Sequence, residues 1–238
     1  MGIRQSINTK IKLILQKVLL KRGFKLLSKS DFSPNGLQPY LREFLQRQSN
    51  GILHIGAHIG QEAKLYNSLE LPVYWIEADP DLYNKLLENL RDFPNQIAIN
   101  ALVSQECTET AVFYTSSNNG ESSSIFPLAG NPYWKGLSNI GTQILPSKKL
   151  DCIFIGNKLA GYDYWVVDVQ GAELKVLQGA IECLQFCHYL NLEVSQEVMY
   201  RGGALYNDLL IFLKGHGFYP IWKPKGVHEE IVFINSRF

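Results

Sequence analysis

The sequence contains no apolar run approaching the roughly 20 residues that a membrane helix needs, and no signal-peptide core. That leads us to expect a cytoplasmic protein. Cysteine is scarce. There are four, at positions 107, 152, 183 and 187, with no Cys-x-x-Cys among them. Reduced thiols are the expected state, with a disulfide or a zinc site as the alternative. His188, His216 and His228 show no ligand spacing and read as surface or structural residues. The first 30 residues hold eight Lys or Arg and no acid, whereas the other 208 carry 15 basic and 22 acidic residues. The body of the chain is therefore mildly acidic and gives no sign of a nucleic-acid groove. A dinucleotide fingerprint is missing too: glycines are needed at the first, third and sixth places, and those places hold Gly56, His58 and Gln61.

What is present starts from Gly51-Ile-Leu-His-Ile-Gly-Ala-His-Ile-Gly-Gln61. Ile52 to Ile55 reads as a buried strand, which runs through a glycine turn into a helical pattern near Gln61. Glycine lets the backbone come close to a ligand, and the first turn of a helix offers free N–H groups. The next apolar run, Val73 to Ile76, ends on Glu77, 21 residues after Gly56. A carboxylate there can accept hydrogen bonds from both hydroxyls of a ribose. The spacing Gly56-x-x-x-Gly60 followed by Glu77 fits an S-adenosylmethionine turn better than a dinucleotide turn.

With 238 residues, 46% of them hydrophobic, the chain is long enough for one α/β domain with a substantial core, or two small ones. Residues 1–30 read as a basic amphipathic helix, with Ile3, Ile7, Ile11, Ile14 and Val18 on one stripe and Gly23 near its end. It either packs on the domain or lies on anionic lipid. Ser33 to Gly36 is a turn, and Leu37 to Gln48 a further helix. After the glycine turn a helix carries Ala63, Leu65, Tyr66 and Leu69 and stops before Pro72. Asp79-Pro80 caps the next helix, whose stripe is Leu82, Leu86 and Leu90. Strands are expected at Ile97–Leu102 and Thr110–Thr115. Residues 116–147, rich in Ser, Asn and Pro, are expected to be irregular and to shape a substrate pocket. Tyr164–Val167 is a strand ending on Asp168, followed by a helix with the stripe Leu174, Leu177, Ile181 and Leu184. Tyr189–Leu192 is a strand ending on Glu193. Leu205–Lys214 is a helix, and Gly217–Ile221 with Glu230–Asn235 forms a closing hairpin, with Pro220 suited to an edge.

Repeated β-α units predict a doubly wound, mostly parallel sheet with its chemistry at the carboxyl ends of the strands. His54, Gly56, Glu77, Asn100, Asp168 and Glu193 fall at or near those ends. Four stretches, His54-Ile-Gly-Ala-His-Ile-Gly60, Trp75-Ile-Glu-Ala-Asp-Pro80, Asn118-Asn-Gly-Glu-Ser-Ser-Ser124 and Val167-Asp-Val-Gln-Gly-Ala-Glu-Leu-Lys-Val-Leu-Gln-Gly179, resemble the FkbM family of S-adenosylmethionine-dependent methyltransferases. The likeness covers about residues 51–220. Two departures stand out. His54 occupies a place where many members have an acid, and Gly226-Val-His-Glu-Glu230 stands where the family often has a Trp-Gly-Asp-like segment.

The resemblance implies the class I methyltransferase fold: an α/β, Rossmann-like, doubly wound sheet of seven mostly parallel strands with a C-terminal antiparallel hairpin. We expect the chain to divide into a basic amphipathic helical segment, 1–36, and a methyltransferase domain, 37–238, of which the likeness covers about 51–220. The resemblance implies S-adenosylmethionine as cofactor, with Gly56, Ala57, His58 and Gly60 against the methionine part, Glu77 on the ribose, and Asn100 and Ala101 near the adenine. His58 either touches the cofactor or shapes the turn. The acceptor it implies is a small-molecule or glycan hydroxyl, on a sugar, glycan or secondary metabolite. Removing a hydroxyl proton needs a base. Asp168 is the first candidate, or else it binds the cofactor's amino group; Glu193 is the second. Glu173, in a first helical turn, reads as a carboxylate stabilising the helix dipole. Asp168 and Glu193 could hold a divalent metal with one more ligand, but no spacing demands it and no metal site is assigned. The alternatives are an NAD-linked oxidoreductase and a non-catalytic module that keeps the fold.

Overall fold

The computed structural model describes residues 48–238 and the short pairs 32–33 and 36–37. The expected basic helix over residues 1–30 and its lipid contact lie outside the described residues, and the expected boundary after residue 36 falls within the described pair Gly36–Leu37. The expected helix over 37–48 also lies outside them, except for its ends: Leu37 is in a strand and Gln48 is helical. β1 (Phe32–Ser33) and β2 (Gly36–Leu37) pair antiparallel, with Ser33 opposite Gly36, where the sequence expects a turn.

The main sheet has seven strands: β3 (Ile52–Ile55), β4 (Val73–Glu77), β5 (Gln96–Asn100), β9 (Tyr164–Val167), β10 (Tyr189–Ser195), β11 (Phe218–Pro220) and β12 (His228–Asn235). Their order is β11-β12-β10-β9-β3-β4-β5. β3, β4, β5, β9 and β10 run parallel, and β12 runs antiparallel to both β10 and β11. The expected fold class is therefore the observed one. β3 and β4 are buried at every position, the mark of central parallel strands covered on both faces. β11 is an edge strand, where Pro220 does no harm to the ladder.

Among the described residues five α-helices complete the frame: α1 (Ala63–Asn67), α2 (Pro80–Asn89), α3 (Leu150–Asn157), α4 (Glu173–Gln178) and α5 (Tyr206–Gly215). Asp79 caps α2, accepting from the N–H groups of Asp81 and Leu82, and Leu82, Leu86 and Leu90 are buried as expected. The core cluster spans the sheet and its helices, from Leu53, Ile55, Trp165 and Val167 to Leu177, Leu209 and Phe233. His54 belongs to a second buried group. Its ring stacks on Trp75, Tyr66 Oη lies 3.2 Å from its Nδ1, and burial pulls its pKa down to about 3. It is a neutral core residue. Among the described residues no helix is long and apolar enough to cross a membrane.

Several expectations are corrected. The strand at 97–102 is two: β5 stops at Asn100, and β6 (Leu102–Val103) joins a separate three-stranded sheet with β7 (Thr108–Ser116) and β8 (Asn139–Lys148), in the order β6-β8-β7. Residues 116–147 are thus not irregular throughout, since β8 occupies their end. Pro146 is accommodated because the register shifts there: Ala111 faces Leu145 while Thr108 faces Ser147, so two residues oppose one. Helix α3 was not foreseen; it is apolar on several sides and lacks a clear stripe. Helix α4 ends at Gln178, so Ile181 falls off its stripe and is 49% exposed, while Ala180 is buried instead. Glu193 lies inside β10 rather than after its end.

Candidate active site

The order of the sheet reverses between β3 and β9, and the carboxyl ends of these two strands frame a cleft. Gly56 follows β3, and its N–H donates to Ile76 O of β4 (2.9 Å), while Asp168 N–H donates to Ile55 O (2.9 Å). The approach is so close that a Cβ on Gly56, which has φ +87°, would lie 1.7 Å from Asp168 O. Only glycine fits. The turn continues through His58 and Gly60, both at positive φ, and Gly60 packs against Leu86 of α2.

Glu77 ends β4 and is 5% exposed. Its Oε2 accepts from His58 N–H (2.7 Å) and its Oε1 from Asp79 N–H (2.8 Å). These bonds lock the carboxylate between the glycine turn and the cap of α2. Burial nevertheless raises its pKa to about 7, against the lowering effect of those two amides. The His58 ring reaches Asn119 O (3.0 Å) and the Gln61 side chain (2.8 Å), which ties the turn to the polar loop after β7.

The cleft is open to solvent; about 550 Å³ of space lies within its walls with that open part included. Its apolar walls include Ile76, Leu82, Leu102, Val103 and Phe113. Its polar wall carries the carboxylates of Glu77, Glu121 and Asp168, and among the described residues no Lys or Arg lines it. Such a lining suits a ligand with positive charge and an apolar, ring-shaped body.

Of the residues singled out from sequence, Gly56, His58, Glu77, Ala101 and Asp168 line the cleft together. Ala57 and Gly60 are buried in the turn behind it. Asn100 acts one layer out: its Nδ2 donates to Glu77 O (2.8 Å) and Ala78 O (3.0 Å), bracing the turn after β4. Glu193 is set back from the cleft and joined to Asp168 by Gln170, whose Nε2 donates to Asp168 Oδ1 (2.5 Å) and Glu193 Oε2 (2.6 Å). Gln170 sits at φ +58°, a strained conformation for this residue type. Tyr200 Oη donates to Gln170 Oε1 (2.5 Å), so the amide faces the two acids with its nitrogen.

Glu173 completes an acidic group. Asp168, Glu173 and Glu193 each offer one oxygen within 4.8 Å of the others. Glu173 Oε1 accepts from Val169 N–H and Gly171 N–H, so it folds the turn that leads into α4. Burial, then mutual repulsion, raises all three: Glu173 to about 7, Glu193 to about 8, and Asp168 well above the carboxylate range. Protein donors hold these acids.

The polar loop, within the stretch expected to shape a pocket, is part of the wall: Gly120, Glu121, Ser123, Ser124 and Ile125 line the cleft. Two residues escaped the sequence reading. Gln170 lies in the most specific of the four stretches, yet an amide next to an acid carries no spacing signal. His228 is not a surface residue, since its Nε2 lies 2.7 Å from Glu193 Oε1 and its Nδ1 2.7 Å from Ser195 Oγ. Trp134 meets His228 edge-on at 5.0 Å and Tyr200 at 5.3 Å. Nothing local marks His228, because it reaches β10 only through the pairing of β12.

The family profile described as Methyltransferase FkbM domain matches residues 54–220. No curated protein matches the chain. Among solved structures it is similar to fibrillarin of Aeropyrum pernix with natively bound S-adenosyl-L-methionine, at a TM-score of 0.44 and 15% identity. That match covers 78% of this chain and 66% of the fibrillarin, just under two thirds. It is similar to a SAM-dependent methyltransferase from Aquifex aeolicus at 0.44 and 11% identity, over 83% of this chain and 88% of the other. It is also similar to magnesium protoporphyrin IX methyltransferase of Synechocystis at 0.43 and 11%, over 94% and 97%.

Proposed function

The chain belongs to the FkbM family of S-adenosylmethionine-dependent methyltransferases, and from that premise we propose that it methylates a hydroxyl of a sugar, glycan or secondary metabolite. The observation that carries the donor half of this reading is the lining of the cleft: three carboxylates, apolar walls and, among the described residues, no Lys or Arg. It fits a cationic, purine-bearing ligand. It does not fit a dinucleotide, whose diphosphate would fall at the glycine turn, where the His58 amide is already bonded to Glu77.

S-adenosylmethionine supplies a methyl group already activated on a cationic sulfur. The chain's own residues hold it, align the acceptor, keep water out and take a proton. Glu77 is the ribose acceptor: each of its oxygens has used one lone pair on a backbone amide, and the remaining pairs face the cleft. Gly56, Ala57, His58 and Gly60 form the turn against the methionine part. Ala101 provides wall beside the adenine, and Asn100 supports it through residues 77–78. Asp168 faces the cleft and is the base for the acceptor hydroxyl, with Glu193 behind it sharing the proton by direct carboxyl–carboxylate contact while the Gln170 amide donates to both acids and holds them in place. We assign residues 37–238 to the catalytic domain and 1–36 to an appended basic segment.

Calorimetric titration with S-adenosylhomocysteine, in parallel with NAD, tests the donor. Binding of the homocysteine compound alone supports the reading; binding of NAD alone, or of neither by folded protein, overturns it. Screening hydroxylated sugars and lipids for methyl transfer tests the acceptor, and Asp168→Asn is expected to abolish turnover while leaving donor binding within a few-fold.

A further inference from the structure

β10 and β12 pair so that Ser195 faces His228 and Glu193 faces Glu230. This puts three side chains in one hydrogen-bonded line: Ser195 Oγ to His228 Nδ1 at 2.7 Å, then His228 Nε2 to Glu193 Oε1 at 2.7 Å. The far oxygen of Glu193 is bonded to Gln170, which reaches Asp168 at the cleft wall. Ser195, the last residue of β10, is 9% exposed, so the line runs from a residue that keeps a little surface to Glu193 beside Asp168.

The line is satisfied in two ways. With Glu193 ionised, the Nε2–H of a neutral imidazole donates to Oε1, and the Ser195 hydroxyl donates to Nδ1. With Glu193 protonated, its O–H donates to Nε2, and Nδ1–H donates to Ser195 Oγ. Neither arrangement leaves a buried polar atom unpaired. They differ by one proton. In passing from the second to the first, the acid proton moves to Nε2, the Nδ1 proton moves to Ser195 Oγ, and the Ser195 hydroxyl proton goes to water. The reverse steps reload the acid.

We infer that Ser195 and His228 form a proton path between solvent and Glu193, in which His228 is a positioning residue that holds this carboxylate in either charge state. The inference rests on the reading of Asp168 and Glu193 as the acceptor's base, and it gives that pair a route for its proton that does not cross the cleft. The groups around His228 are consistent with a neutral ring that exchanges tautomers. Burial lowers its pKa, while Glu173 and Asp168 oppose that. Glu193 and Ser195 face it from β10 and Trp134 from the segment between β7 and β8, with the Tyr133 ring 6.3 Å away. On its own strand Glu229 accepts from Gly226 N–H, and Glu230 accepts from the Asn191 side chain.

The test uses the full chain labelled with 15N-histidine and follows two-bond nitrogen–proton correlations from about pH 6 to about pH 10, bracketing the Glu193 value of about 8. His228→Asn identifies the resonance among the five histidines. The expected result is an Nδ1–H tautomer at low pH that gives way to Nε2–H as Glu193 ionises. That step disappears in Glu193→Gln, and Ser195→Ala depletes the Nδ1–H form. A tautomer that does not change with pH in the wild type, or a step that persists in Glu193→Gln, overturns the inference. The same samples are titrated with S-adenosylhomocysteine. Absent binding in the wild type counts against the methyltransferase reading and leaves the tautomer result standing on its own. Retained binding in the variants shows that they are folded.

Discussion

At Gly56 a single hydrogen atom decides whether the site exists. Gly56→Ala would drive a methyl group into Asp168 O, so β3 and β9 would have to part. We expect a loss of several kcal/mol in stability by urea unfolding, together with loss of S-adenosylhomocysteine binding. Glu77 tests a different property. In Glu77→Ala the amides of His58 and Asp79 lose their acceptor and the ribose loses its partner. Charged hydrogen bonds are worth about 1.5–3 kcal/mol each, so affinity should fall on the order of 10- to 100-fold by calorimetry. Unchanged affinity would remove Glu77 from the ribose role. These two residues were legible in the sequence because each sits at a strand end that its own apolar run announces. His228, Ser195 and Gln170 were not. Their roles depend on which strands become neighbours and in what register, and no local pattern carries that information.

Among the elements, the helices and strands around the cleft followed their local signals, while the ribbon beside it did not. Asp79 illustrates the first case. One carboxylate oxygen caps α2 and the other accepts from Gln143 of β8 at 2.7 Å, tying the ribbon to the main sheet. Asp79→Ala is expected to cost about 1–2 kcal/mol in urea unfolding, as lost caps do, with a further loss from the unpaired Gln143. Asp79→Asn should recover most of it. The ribbon illustrates the second case. β8 contains Pro146 and exposes Ile140 and Ile144, so neither alternation nor breaker residues mark it as a strand. Its partner β7 makes it one, and the register shift opposite Pro146 removes the conflict. Helix α3 was hidden for the opposite reason: its apolar residues, from buried Ile153 and Phe154 to exposed Ile155, trace no single stripe.

Taken whole, the molecule concentrates acids around one cleft. Glu77, Glu173 and Glu193 have folded values of about 7, 7 and 8, against about 4.5 when unfolded. The folded state therefore binds more protons between these limits, and stability falls as pH rises through them. Each carboxyl contributes at most about 1.4 kcal/mol per pH unit in its window. We expect the thermal midpoint to drop from about pH 5 to about pH 8, less steeply in Glu193→Gln, as measured by calorimetry. A midpoint that rises over this range would contradict the burial of these acids. The single antiparallel strand has a consequence of another kind. Because β11 ends and β12 begins at the carboxyl end of the parallel strands, residues 221–227 connect them on the same side of the sheet as the cleft. A connection there can lengthen without altering the register of any strand, at a closure cost of only about 0.6 kcal/mol per doubling. A lineage could in this way re-tailor what approaches the methyl group while inheriting the rest of the architecture intact.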